Sequence, residues 1–171
     1  VSIAGPSAGT VATTYLPTPK DVKEQLAGLL GRDVSLSPTT PMSPGSAEAK
    51  TVAVYVDDRL GVRAVIACDL AFSAYAGAAI GLVPPSGAAA AIEAKALDET
   101  LSENLYEVLN VMAAVFNAEG AVHVKLRDVH PSGTRIPPAV HIRLVPLGRR
   151  EDFTVDIAGY GTGLFSVVVC A

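Results

Sequence analysis

The chain has 171 residues, 50% of them hydrophobic and 18% charged, with a net charge of −4 and a pI near 5.3. That length and balance fit one globular domain with a real core and exclude a disordered chain. The acidic balance argues against nucleic-acid or anionic-membrane binding driven by bulk charge, and no apolar run approaches the roughly 18 residues of a membrane span.

The opening, VSIAGPSAGTVATTYLPTP, lacks the basic n-region and apolar h-region of a signal peptide, and the missing initiator Met reads as trimming or processing. Residues 1–17 are small, polar and punctuated by Pro6 and Pro17, so they read as a loose leader or an edge segment. Residues 18–171 read as a single α+β domain. Its first element is a helix over 19–30, with Thr18 as N-cap, Pro19 at the first helical position and Gly31 as the stop. Val22, Leu26, Leu29 and Leu30 form its apolar face. A short strand, DVSLS, and a loop rich in Pro and Ser follow.

TVAVYVD and GVRAVIACD, joined by DRLG, have the β-branched runs and turn chemistry of a hairpin. Asp69 then caps a helix through LAFSAYAGAAI, ended by Gly81 and Pro84-Pro85. SGAAAAIEAKAL reads equally as a short helix or an ordered connection. A long helix covers about 97–118. After Gly120, AVHVKLRDV, AVHIRLVPL, DFTVDIAG and GLFSVVVCA read as four β-rich segments separated by HPSGTRIPP and GRRE. Adjacent hairpins imply a mainly antiparallel sheet with helices packed on one side. The segments VKEQLAGLLGRDVSLSP and YEVLNVMAAVFNAEGAVHVKL share a plan of amphipathic helix, tight break and strand, which predicts a pseudo-twofold repeat. In that alignment Glu24 matches Glu107 and Ala27 matches Asn110.

The long helix carries the most informative pattern. With Glu103 at zero and about 100° per residue, Glu107 falls near +40°, Asn110 near −20° and Glu99 near −40°. Leu101, Leu105, Val108, Met112, Val115 and Phe116 gather opposite. A solvated face is the ordinary reading of such a stripe. Against it, the three carboxylates have no Lys or Arg at i+4 and repel one another. The neighbouring Ala113 and Ala114 also leave room for a partner to come close.

These residues, in this order of elements, resemble the CheC/CheX/FliY family of response-regulator phosphatases. The family motif is Asp or Ser, three residues, Glu, two residues, Asn, and a proline a little over twenty residues later. Here EVLN supplies Glu107 and Asn110, Glu103 stands at the Asp/Ser position, and Pro131 matches the proline about two residues early. GVRAVIACDLAFSAYAGAAIGLV looks like the family's strand and the helix before the active one, and the likeness spans about 18–170. Only one half carries Glu-x-x-Asn, since EQLA in the first helix lacks the Asn; that single site is the CheX-like pattern.

The resemblance implies a phosphatase acting on the aspartyl phosphate of a CheY-like regulator in the cytoplasm. Asn110 would orient the water, Glu107 would dock the partner, and Glu103 would support them. It implies no cofactor of the chain's own, because the Mg²⁺ belongs to the regulator's acidic pocket, and it implies a homodimer formed through a sheet edge. A non-catalytic interaction module on the same fold, like the flagellar-switch relatives or a signalling adaptor, is the alternative from another class. An unrelated α+β domain with a chance motif is the third.

Other candidates are weaker. GYGTG lacks the following helix of a phosphate loop and reads as a turn or bulge. His123, His130 and His141 lack a carboxylate or cysteine cluster and predict no metal site. Cys68 and Cys170, both in apolar runs, read as buried free thiols of a reducing compartment, with a disulfide as the alternative.

Overall fold

Helix α1 (Pro19–Leu30) starts at a reciprocal cap. The Asp21 amide donates to the Thr18 hydroxyl at 3.2 Å, and the Thr18 amide donates to the Asp21 carboxylate at 2.9 Å. Gly31, at φ 64°, closes the helix in the left-handed conformation that glycine adopts without penalty. In this computed structural model residues 12–42, 50–146 and 148–170 are described. The expectations for residues 1–11, for 43–49 in the Pro/Ser-rich loop, and for Leu147 and Ala171 lie outside them.

The remaining elements follow in order: β1 (Val34–Pro38), β2 (Lys50–Val56), β3 (Val62–Asp69), α2 (Leu70–Ile80), α3 (Pro85–Ala94) and α4 (Glu99–Val111). After these come β4 (Lys125–His130), α5 (Pro138–His141), β5 (Arg150–Ile157) and β6 (Gly161–Val169). The ambiguous SGAAAAIEAKAL is therefore helical over most of its length. All strand pairs are antiparallel, in the order β1-β5-β6-β3-β2-β4. That order reads the same when β1, β2 and β3 are exchanged for β4, β5 and β6. The sheet is thus built from two helix–strand–strand–strand halves, and the pseudo-twofold axis lies between β3 and β6. Each half lends its first strand to the other: β1 pairs with β5, and β4 pairs with β2.

The core lies between one face of the sheet and helices α1, α2 and α4. Ala53, Tyr55, Ile66, Phe153, Phe165 and Val167 meet Val22, Leu26, Phe72, Leu105, Val108 and Met112 there. Helix α2 is apolar on nearly every side because it is enclosed by the sheet, α3 and α4, and its close approach to β6 is made possible by Gly163. Cys68 is buried in this layer, which pushes its thiol up to about 12, while Cys170 is partly buried; both are free.

The opposite face corrects one expectation. AVHIRLVPL is not a strand: Pro138–His141 forms a short helix and Ile142–Leu144 a 3₁₀ turn. Alternating apolar residues in this run also stand four apart, and Val140 and Leu144 use the helical spacing to cover Val52, Val54, Val65 and Val168. Pro137 and Pro138 set the entry, and the Arg150 Nη1 pins the end by donating to the carbonyls of Leu144 at 2.8 Å and Pro146 at 3.0 Å. Arg150 is itself held by a bidentate pair with Asp152.

Residues 12–17 lie against the domain. The Thr13 carbonyl accepts from the Val122 amide at 3.1 Å, and the Thr14 carbonyl accepts from Arg149 at 2.6 Å. Among the described residues no helix is long and apolar enough to cross a membrane.

Candidate functional site

Asp98 opens α4 by accepting from the Leu101 amide at 2.8 Å. The α-helix then runs to Val111 and tightens into a 3₁₀ turn, Met112–Phe116, instead of continuing to 118. Beneath that change the buried Tyr55 hydroxyl donates to the Leu109 carbonyl at 2.6 Å. This is the acceptor that a continuing α-helix would offer to the Ala113 amide.

Leu101, Leu105, Val108, Leu109 and Met112 are buried, while Glu99, Glu103, Glu107 and Asn110 are exposed along one side of the helix. The predicted stripe is therefore contiguous and faces outward. None of these four side chains makes a hydrogen bond or ion pair with another described residue. Between Lys95 and Lys125 the chain has no Lys or Arg, so nothing local neutralises the carboxylates.

Three asparagines in this segment show what is unusual about Asn110. Asn104 donates its amide to the Gly77 carbonyl at 2.9 Å, tying α4 to α2. Asn117 accepts from the Val124 amide at 2.8 Å and donates to the Val124 carbonyl at 3.0 Å, closing the turn into β4. Both are structural. Asn110 has no such task, although asparagine in a helix interior costs up to about 0.7 kcal/mol relative to alanine. Asn104 escaped the sequence reading because it sits on the flank of the stripe, where periodicity does not separate packing from exposure.

The other half of the pseudo-symmetric pair is built differently. On α1, Glu24 is paired with Lys20 at 3.6 Å, and Ala27 is half-buried against the core. Helix α1 meets the 3₁₀ turn after α4, and between them lies a cavity of about 310 Å³ lined by Tyr15, Asp21, Glu24, Gln25, Ala114 and Val115. Asp21 is already engaged there. The Tyr15 hydroxyl donates to it at 2.7 Å and, with the Thr18 amide, holds its carboxyl below the ordinary range. The exposed Ala114 continues the line of Asn110 toward this cavity.

Pro131 follows β4 directly and is exposed, its carbonyl accepting from Thr134. Gly159 and Tyr160 of GYGTG lie in the β5–β6 turn and Gly161–Gly163 open β6, with Gly159 at φ 83° and Arg32 stacked over Tyr160 at 4.6 Å. His123 precedes β4, His130 ends it and His141 ends α5. Among the described residues no group of three or more His, Cys, Asp or Glu is placed to hold a metal ion.

No protein-family model matches the chain, and no curated protein matches it in sequence. Solved structures do. The middle domain of FliM from Vibrio alginolyticus aligns over 88% of this chain and 87% of that one, at 10% identity and a TM-score of 0.54. FliM in the FliM–SpeE complex of H. pylori aligns over 88% and 80%, at 9% identity and a TM-score of 0.56. FliY of Thermotoga maritima aligns over 91% and 93%, at 18% identity and a TM-score of 0.47. The chain has the α+β fold of the FliM middle domains.

Proposed function

We propose that the exposed stripe of α4 docks a phosphorylated response regulator and that Glu107 and Asn110 promote hydrolysis of its aspartyl phosphate. The observation that carries this reading is the Asn110 amide, uncommitted among the described residues, one helical turn from a Glu107 carboxylate that likewise has no partner among them. An amide both donates and accepts, so it can hold a water in line with phosphorus without taking its proton. The water oxygen bonds to phosphorus, the bond from phosphorus to the regulator's aspartyl oxygen breaks, and the aspartate leaves as a carboxylate. The water's protons end on inorganic phosphate and solvent. The regulator's Mg²⁺ supplies the charge stabilisation, so the work left to this chain is positioning. Glu107 pairs with a cationic side chain beside the phosphate, and Glu103, one turn earlier, adds to the same attraction. This role places the chain in the cytoplasm, and the outer edges of β1 and β4 offer a route to a homodimer.

The second reading is a non-catalytic interaction module. It is favoured by the likeness to a FliM middle domain and to FliM solved in complex with another protein, SpeE. It is also favoured by Glu103 at the Asp/Ser position and Ala27 at the position matching Asn110.

Single-turnover loss of aspartyl phosphate from a CheY-like regulator, with and without the chain, separates the two. The expected result is acceleration that drops about 10²–10³-fold in Asn110→Ala and in Glu107→Ala. Binding without acceleration would establish the interaction module instead.

A further inference from the structure

Two exposed apolar side chains flank the α4 stripe, one on each side. Leu82 is 79% exposed and Tyr106 is 49% exposed. Tyr106 lies one turn after Glu103 and one turn before Asn110 on the helix itself. Leu82 stands in the α2–α3 turn, which meets α4 on the other flank. The preceding Gly81 packs against the Asn104 amide so closely that a Cβ there would collide with it, and Asn104 lies one turn before Glu107. At about 100° per residue, Asn104 and Tyr106 fall on opposite sides of Glu107.

The Leu82 turn is rigid. The Val83 amide donates to the Ala78 carbonyl at 2.9 Å, and the Tyr160 hydroxyl donates to the Val83 carbonyl at 2.6 Å. On the other side Asn104 holds Gly77. Leu82 itself sits at φ 54°, a conformation that disfavours an L side chain, and its side chain is largely in water. Neither folding nor packing therefore accounts for leucine at this position. A fixed apolar knob beside uncompensated charge has the makeup of an interface anchor, because little ordering is lost when it is buried.

We infer that Leu82 and Tyr106 anchor the partner on either side of the acidic stripe; this rests on the regulator reading above. The partner surface they fit carries a cationic side chain between two apolar recesses. The unpaired carboxylates of Glu99, Glu103 and Glu107 select the cation, and the two flanking side chains set orientation across the helix.

The test is the affinity of the full chain for a panel of CheY-like receiver domains loaded with Mg²⁺ and beryllofluoride as the phosphoryl mimic. Leu82→Gly and Leu82→Asn both suit a positive φ and remove the apolar knob, while Tyr106→Ala removes the second anchor. Each is expected to weaken binding tenfold or more, with the melting temperature unchanged or, for Leu82→Gly, raised. Wild-type affinity in all three, with binding lost in Glu107→Lys, would overturn the anchors and leave regulator docking standing. Absence of binding by the unsubstituted chain across the panel would overturn the regulator reading and the anchors together.

Discussion

The Tyr55 hydroxyl donates to the Leu109 carbonyl at 2.6 Å, so the single polar atom of a fully buried ring ends on the backbone next to Asn110. Tyr55 is the penultimate residue of β2, and the bond ties that end of the strand to α4 at the candidate site. Burial holds its phenol well above the ordinary range, which keeps it a donor across all working pH values. Removing the hydroxyl in Tyr55→Phe strands a carbonyl near the core and should cost about 1–2 kcal/mol. Urea denaturation measures this, and an unchanged midpoint would show that the bond contributes nothing.

The asparagines of the α4 segment predict an inverted pair of stabilities. Asn110→Ala loses no hydrogen bond to a described residue and improves helix propensity, so it should be neutral or gain up to about 0.7 kcal/mol. Asn104→Ala loses its bond to Gly77 and should cost about 1 kcal/mol, offset in part by the same propensity gain. Thermal melts of the two variants side by side check the order. An Asn110→Ala variant less stable than Asn104→Ala would mean that Asn110 has a structural task after all.

Two glycines should respond in opposite directions to the same change. Gly28 is exposed in the interior of α1 with open space around it, and Gly28→Ala should gain about 1 kcal/mol. At Gly163 a Cβ would overlap the backbone of Phe72, where the first turn of α2 crosses β6. Gly163→Ala should cost about 3 kcal/mol or more, because backbone cannot move aside as a side chain can. Denaturant midpoints for the pair are the measurement.

Asp57 predicts a contribution to acid sensitivity. Arg63 Nε donates to its carboxylate at 2.7 Å, and with the amides of Gly61 and Arg59 at 2.9 Å it holds the carboxyl below the ordinary range. The unfolded chain takes up that proton first as pH falls. The stabilisation is therefore complete above the unfolded value of about 3.9 and is lost on descending from there through the lower folded value. Asp57→Asn should flatten the stability profile in that window while lowering stability at neutral pH. An identical acid slope in the variant would assign the sensitivity to other carboxylates.

Much of the architecture is legible in the sequence. Thr18, Pro19 and Gly31 act through neighbours three or four residues away, so local chemistry alone bounded α1. The same holds for Asp69 as a cap and for the β2–β3 hairpin. The α4 stripe was legible because burial on one side of a helix leaves a 3.6-residue signature, and the similar plan of two segments pointed to the pseudo-twofold halves. What was not legible depended on contacts between distant parts. The run 138–144 satisfies helical and strand spacing at once, and only Arg150 and the apolar face it covers select the helix. The exchange of edge strands between halves, the Tyr55–Leu109 bond under the site, and the different tasks of Asn104 and Asn110 join residues far apart in the chain or differ only in what lies across from them. Propensity and periodicity act over a few residues, whereas a side chain is committed or left free by whatever the rest of the fold brings against it.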